Sequence, residues 1–129
     1  MTTRILVVDD HPDLRMLVQA ALEAPGNVFR EAATGPEALE ALAAFRPDVV
    51  VLDVMLPGGI DGYEICRRIK TPGAAVSAVV IMLTARGQKA DEERGKAVGA
   101  DLYLIKPFSP TQLAAAVRQF IAGRTPATP

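Results

Sequence analysis

Five times along its length the chain passes from a short apolar, largely β-branched run to a segment with helical spacing, and few architectures accept that alternation. The first run, Ile5 to Val8, ends in Asp9-Asp10; Leu14, Leu17, Val18, Ala21 and Leu22 then recur at three- and four-residue steps until Pro25-Gly26. A weaker run, Val28 to Ala32, leads to Thr34-Gly35-Pro36-Glu37, where Thr and Glu have capping-box spacing and Pro sits just inside the helix start. The helix behind it, with Ala38, Leu39, Leu42 and Ala43 on one face, stops before Pro47. Val49 to Leu52 predicts a third strand, and Tyr63, Ile65, Cys66 and Ile69 predict a third helix. Ala78 to Leu83 predicts the fourth strand, ending at Thr84, followed by a charged, weakly amphipathic helix over roughly Lys89 to Val98 that Gly99 terminates. Leu102 to Ile105 predicts the fifth strand, and Ser109-Pro110-Thr111-Gln112 opens a last helix that buries Leu113, Val117, Phe120 and Ile121.

Runs that are nearly all apolar must be covered on both faces, which predicts an α/β fold: a doubly wound, five-stranded parallel sheet with helices on both sides. A length of 129 residues suffices for one compact domain, expected over residues 1–122 with a loose tail over 123–129. No unbroken apolar run approaches the roughly 20 residues of a membrane span, and MTTRILVVDD turns acidic too early for a signal peptide. A cytoplasmic chain without membrane contact is expected. The formal charge of −1, with no run of Lys and Arg, argues against direct nucleic-acid binding. The single cysteine, Cys66, excludes an internal disulfide or a zinc cluster and reads as a packing residue.

The polar residues are more informative than the apolar ones. In VVVLDVMLPGG, Val49 to Gly59, a buried run meets Asp53 directly, and a charge there needs a partner, a metal or water. Open parallel sheets bind ligands at the carboxyl ends of their strands. Strand one ends there in Asp9-Asp10, strand three in Asp53, strand four in Thr84 and strand five in Lys106. Three carboxylates about 4 Å apart would repel by roughly 4 kcal/mol per pair at an effective dielectric near 20, so the group requires positive charge. Lys106 supplies one, and Mg²⁺, which prefers carboxylate and carbonyl oxygens with waters, is the natural remainder. Softer metals are poorly served, since His11 is the only nearby imidazole and no thiolate is in reach; His11 reads as a loop residue without a role. Carboxylate, hydroxyl and ammonium around a hard cation make a place where phosphoryl oxygens are neutralised, and a carboxylate can itself be the nucleophile. Each residue also has an ordinary structural reading: Asp10 before His11-Pro12 as a helix cap, Thr84 as a cap or strand residue, Lys106 as a solvated lysine. Their joint placement on one edge is what those readings leave unexplained.

The segments VVDDHPDLR, VVVLDVMLPGG, IMLTA and GADLYLIKPF, in this order and spacing, closely resemble the receiver domain of bacterial two-component response regulators, the family of the chemotaxis response regulator. The resemblance covers about Arg4 to Ile121 and implies a flavodoxin-like sheet of order 2-1-3-4-5. It implies that Asp53 accepts a phosphoryl group from the phosphohistidine of a sensor histidine kinase or a histidine phosphotransfer protein. Asp10 and Asp53 would ligate Mg²⁺ directly, Asp9 through a bound water, and Met55 through its backbone carbonyl. Thr84 and Lys106 would each meet a phosphoryl oxygen, the Lys106-Pro107 bond would be cis, and Tyr103 would be the aromatic switch that follows Thr84 inward. The chain would thus be a phosphoacceptor switch rather than an enzyme with an external substrate. Its output face would be the fourth helix, fifth strand and fifth helix, with Arg86, Lys89, Asp91, Glu92, Arg94, Tyr103 and Arg118 on it.

LPGGIDG departs from the family pattern by an extra glycine, which should change the rim of the site after Asp53 while leaving the spacing up to Pro57 intact. Arg86, two residues after Thr84, should also border the site. Two other functions share parts of this pattern. An aspartyl-nucleophile phosphatase needs a second acid two residues after the first, where this chain has His11 and Met55. A flavodoxin-like FMN binder favours Ser and Thr after strand one, where DDHPD would repel phosphate unless a metal intervened. No G-x-x-x-x-G-K-[ST] or G-x-G-x-x-G follows a strand, so nucleotide enzymes lack their usual support. Stand-alone signalling by protein contact and a regulatory module cut from a longer chain, for DNA binding or an enzyme, are both open, with the first preferred; the output partner is unidentified, and a dimer, if one forms, would depend on phosphorylation.

Overall fold

A computed structural model describes residues 2–74, 77–85 and 87–123; Arg86 and most of the expected tail, residues 124–129, lie outside the described residues. Strands and helices alternate throughout: β1 (Thr3–Val8), α1 (Pro12–Leu22), β2 (Asn27–Ala32), α2 (Gly35–Phe45), β3 (Val49–Leu52), α3 (Gly62–Lys70), β4 (Val79–Thr84), α4 (Lys89–Ala97), β5 (Leu102–Ile105) and α5 (Pro110–Gly123). β3 and β5 have the bounds that their apolar runs predict, and β4 is displaced by one residue at each end. All neighbouring strands are parallel, in the order β2-β1-β3-β4-β5.

Alternate residues of each inner strand serve opposite faces. Leu6, Val8, Val50, Leu52, Val80 and Met82 pack with Ala38, Ala41 and Leu42 of α2 and with Tyr63, Ile65, Cys66 and Ile69 of α3. Ile5, Val7, Val49, Val51, Ile81 and Leu83 pack with Val18 and Leu22 of α1 and Leu113 and Val117 of α5. The two-sided burial explains why these runs are unbroken apolar sequence, and β2, at the sheet edge, explains the weakness of its own: Val28 is exposed. Leu17 departs from the predicted stripe, lying 44% exposed beside buried Val18, because α1 buries only a narrow line through Val18 and Leu22.

Local chemistry fixes the helix starts. Thr34 caps α2, its Oγ1 accepting from the Glu37 N–H at 3.2 Å, while the Glu37 carboxylate reaches back to the N–H of Ala33, one residue further out than a standard capping box. Asp61 caps α3 by accepting from the Glu64 N–H at 3.0 Å, and Ser109 does the same for α5 with the Gln112 N–H at 3.2 Å. For α1 the capping position is His11, without a side-chain cap bond, so Asp10 is not engaged as the cap. The Cys66 thiol donates to the Val98 carbonyl at 3.5 Å in full burial, and burial raises it to a pKa of about 11, in keeping with a packing residue.

Candidate functional site

Strand register assembles the site. Val8 pairs with Leu52 across β1 and β3, so Asp9 and Asp53 leave the sheet side by side. The ladder continues one bond past each strand end: the Asp9 N–H donates to Ala32 O, the Asp53 N–H to Val8 O, and the Lys106 N–H to Thr84 O, at 3.1, 3.0 and 2.8 Å. Lys106 follows β5 through this last bond and precedes Pro107 in a cis peptide. From there its Nζ donates to Oδ2 of Asp9 at 3.0 Å and to Oδ2 of Asp53 at 3.2 Å. Asp9, Asp53 and Thr84 are the buried polar or charged residues among those described, and all three are residues that the strand-end pattern singled out.

The two acids respond differently to shared burial. Burial raises the Asp53 carboxyl above its ordinary value, and the neighbouring Asp9 charge adds to this, against the opposing pull of Lys106 and of the Met55 N–H on Oδ1 at 3.4 Å. Burial also penalises Asp9, but the His11 N–H at 2.8 Å and the Lys106 ammonium outweigh it and hold that carboxyl below the ordinary range. One ammonium thus serves two buried carboxylates, leaving a net negative centre that favours a further cation.

Asp10 points outward, its side chain 39% exposed, beside a cavity of about 550 Å³ lined by Asp10, His11, Val54, Met55, Leu56, Pro57 and Asp61. The donors at this end are predominantly carboxylate oxygens, the chemistry that suits Mg²⁺. Met55 is exposed. Tyr103, paired with Met82 in the sheet, is half-buried over α4, where Gly95 leaves room for its ring. The extra glycine is accommodated in the turn between β3 and α3. Gly58 and Gly59 take φ of 96° and 83°, the Gly35 N–H donates to Pro57 O at 3.2 Å, and Gly58 lies against Pro36 of α2 while Gly59 faces open space.

Three residues near the site escaped the sequence pattern. His11 Nδ1 lies 3.0 Å from Asp9 Oδ1 and 3.1 Å from Asp10 Oδ1. Arg15 donates from Nη1 to the Asp9 carbonyl at 2.6 Å and from Nε to Glu31 at 2.8 Å; a cation three residues before buried Val18, on the inner side of α1, was the available signal. Gly62 packs so closely behind the site that a Cβ would be driven into the Asp53 carbonyl oxygen.

Proteins similar to this chain in sequence or in fold are numerous. The chain is 40% identical over 126 residues to the phosphate regulon transcriptional regulatory protein PhoB of Rhizobium meliloti (strain 1021), covering 98% of this chain and 55% of that protein. It spans about half the length of the curated relatives it matches. Its fold superposes on the BeF3-activated DrrB receiver domain with a TM-score of 0.85 and 37% identity, covering 95% of this chain and 99% of that one. The chemotaxis protein CheY4 of Vibrio cholerae follows at a TM-score of 0.80 and 31% identity, covering 92% and 98%. None of these relatives favours the flavin-binding alternative. With residues 5–118 matching the family described as response regulator receiver domain, the chain belongs to the receiver domains of two-component response regulators.

Proposed function

We propose that the chain is the phosphoacceptor switch of a two-component pathway, with Asp53 as the acceptor. The observation that carries this reading is the sharing of Lys106 Nζ between Asp53 and Asp9, which puts a buried nucleophilic carboxylate beside a fixed cation at the open edge of the sheet. An Asp53 carboxylate oxygen attacks the phosphorus of a phosphohistidine on a sensor histidine kinase or histidine phosphotransfer protein. The O–P bond forms as the P–N bond breaks, and the electron pair returns to the leaving imidazole. Lys106 then pairs with a phosphoryl oxygen, and Thr84, buried at the end of β4, meets another. Asp10, Asp53 and the Met55 carbonyl would hold Mg²⁺, with Asp9 acting through a bound water; the ion supplies charge neutralisation at the phosphoryl oxygens.

Phosphorylation adds nearly two negative charges at one point. Drawing Thr84 toward that point vacates space for Tyr103 and biases the α4–β5–α5 face toward a partner-binding state. That partner is a separate protein, a second copy, or a linked segment, since the chain matches only 55% of the length of the Rhizobium transcriptional regulatory protein PhoB. No helix among the described residues is long and apolar enough to cross a membrane, and we place the phosphotransfer in the cytoplasm, where kinase and receiver meet.

The test is intact mass after incubation with acetyl phosphate and Mg²⁺, beside Asp53→Asn and an EDTA control. A single phosphoryl adduct, dependent on Mg²⁺ and missing from the variant, is expected. An adduct that persists in Asp53→Asn would move the acceptor elsewhere.

A further inference from the structure

The His11 ring stands where a capping side chain belongs, yet it makes no cap bond to α1. It turns instead to both acids, Nδ1 lying 3.0 Å from Asp9 Oδ1 and 3.1 Å from Asp10 Oδ1. One donor atom from each of these three residues lies within 4.8 Å of the other two, a spacing that one ion can bridge. Lys106 occupies the other Asp9 oxygen, Oδ2, so the oxygen left toward His11 is Oδ1. The ring is 70% exposed and borders the cavity of about 550 Å³ beside Asp10, which gives an ion room for its remaining waters.

We propose that His11 is a metal-specificity residue: its Nδ1 admits first-row divalent ions such as Mn²⁺, Ni²⁺ and Zn²⁺ to the site that the phosphoacceptor reading assigns to Mg²⁺. The proposal rests on that reading for the site itself and adds a nitrogen donor to it. Mg²⁺ gains little from an imidazole, whereas the transition ions gain progressively toward the end of the row, so the two classes of ion are affected unequally. Coordination uses the Nδ1 lone pair, so the ring meets the ion with its hydrogen on Nε2. Asp10, already a ligand in that reading, presents its Oδ1 3.1 Å from Nδ1, and Asp9 keeps its water-mediated role.

Histidine occurs once in this chain, so a nitrogen signature from an imidazole identifies its source. The experiment measures Mg²⁺ and Ni²⁺ affinities by calorimetry for tag-free wild type, His11→Ala and His11→Asn, together with pulsed EPR of bound Mn²⁺. Loss of even an outer-sphere partner of a metal ligand costs about 10–100-fold in affinity, so Ni²⁺ binding should weaken by at least about tenfold in both variants. Mg²⁺ affinity should stay within about threefold. The ¹⁴N modulation of imidazole should be present in wild type and vanish in His11→Ala. Wild type that binds Mg²⁺ but shows no ¹⁴N coupling, or equal losses for Ni²⁺ and Mg²⁺, overturns the role of His11 alone. Wild type that binds neither ion overturns both this inference and the Mg²⁺ site beneath it.

Discussion

Lys106 neutralises two acids that pull in opposite directions. The Asp53 carboxyl is raised by burial, so the folded chain holds that proton to a higher pH than the unfolded chain, whose ordinary value is 3.8. Between those two values the folded state binds more protons, and stability therefore falls as pH rises. Asp9, held low despite its burial, does the reverse: it contributes stability above 3.8 that is lost as pH drops through its lower folded value. In EDTA at pH 7, Asp53→Asn should accordingly be more stable than wild type by on the order of 1 kcal/mol, or about 3–6 °C in Tm. The gap should close as the pH approaches 3.8. A melting series from pH 7 to 4 tests this, and an unstabilised Asn variant at pH 7 would contradict the burial argument. Lys106→Met should move the other way, losing roughly 3 kcal/mol at pH 7 because two buried carboxylates are left without their cation, with the deficit shrinking as both protonate.

At the level of elements, what could be read from the sequence and what could not divide along a physical line. Strands and helices were legible because burial on two faces and helical spacing leave local patterns, and strand ends were legible because a parallel sheet brings them to one edge. Hence the pattern marks Asp9, Asp53 and Thr84 as polar strand ends, and all three are buried. The start of α1 was less legible. Pro12 opens the helix, making His11 the capping position and releasing Asp10, which the sequence alone left as a candidate cap. The contacts of Arg15 with the Asp9 carbonyl and Glu31 join α1 to β1 and β2, and no local period encodes such a contact. Gly62 belongs to the same class. Asp61→Ala should cost about 1 kcal/mol by loss of one cap bond. Gly62→Ala should cost about 1–3 kcal/mol by overpacking against the Asp53 carbonyl, and only this second variant should also slow phosphoryl adduct formation. Urea titrations paired with adduct mass kinetics separate the two; equal adduct rates would mean that the α3 start can shift without moving Asp53.

Across the whole molecule, stability is unevenly distributed around a sheet that is itself deeply buried. β1, β3 and β4 carry apolar residues on both faces, and α1, α2, α3 and α5 each bury at least two apolar side chains. α4 buries only Gly95, and its sequence is charged along most of its length. Its described ties to the body include the Tyr63 hydroxyl donating to the Asp91 carbonyl at 3.0 Å, the Arg94 guanidinium 4.3 Å above the Tyr63 ring, and the Tyr103 ring against Gly95. An element held by few buried contacts opens at low free-energy cost, which is the property a switching face needs if a charge at Asp53 is to bias it. Hydrogen exchange should therefore find the amides of Lys89–Ala97 exchanging well before those of β1, β3 and β4. Tyr63→Phe, which removes one hydroxyl bond and keeps the ring beneath Arg94, should speed α4 exchange by about fivefold, the equivalent of roughly 1 kcal/mol, and leave the inner strands nearly unchanged. Should α4 instead exchange together with the sheet, the face would open only by global unfolding, and the route from Asp53 to a partner would have to run through Tyr103 and β5 without α4.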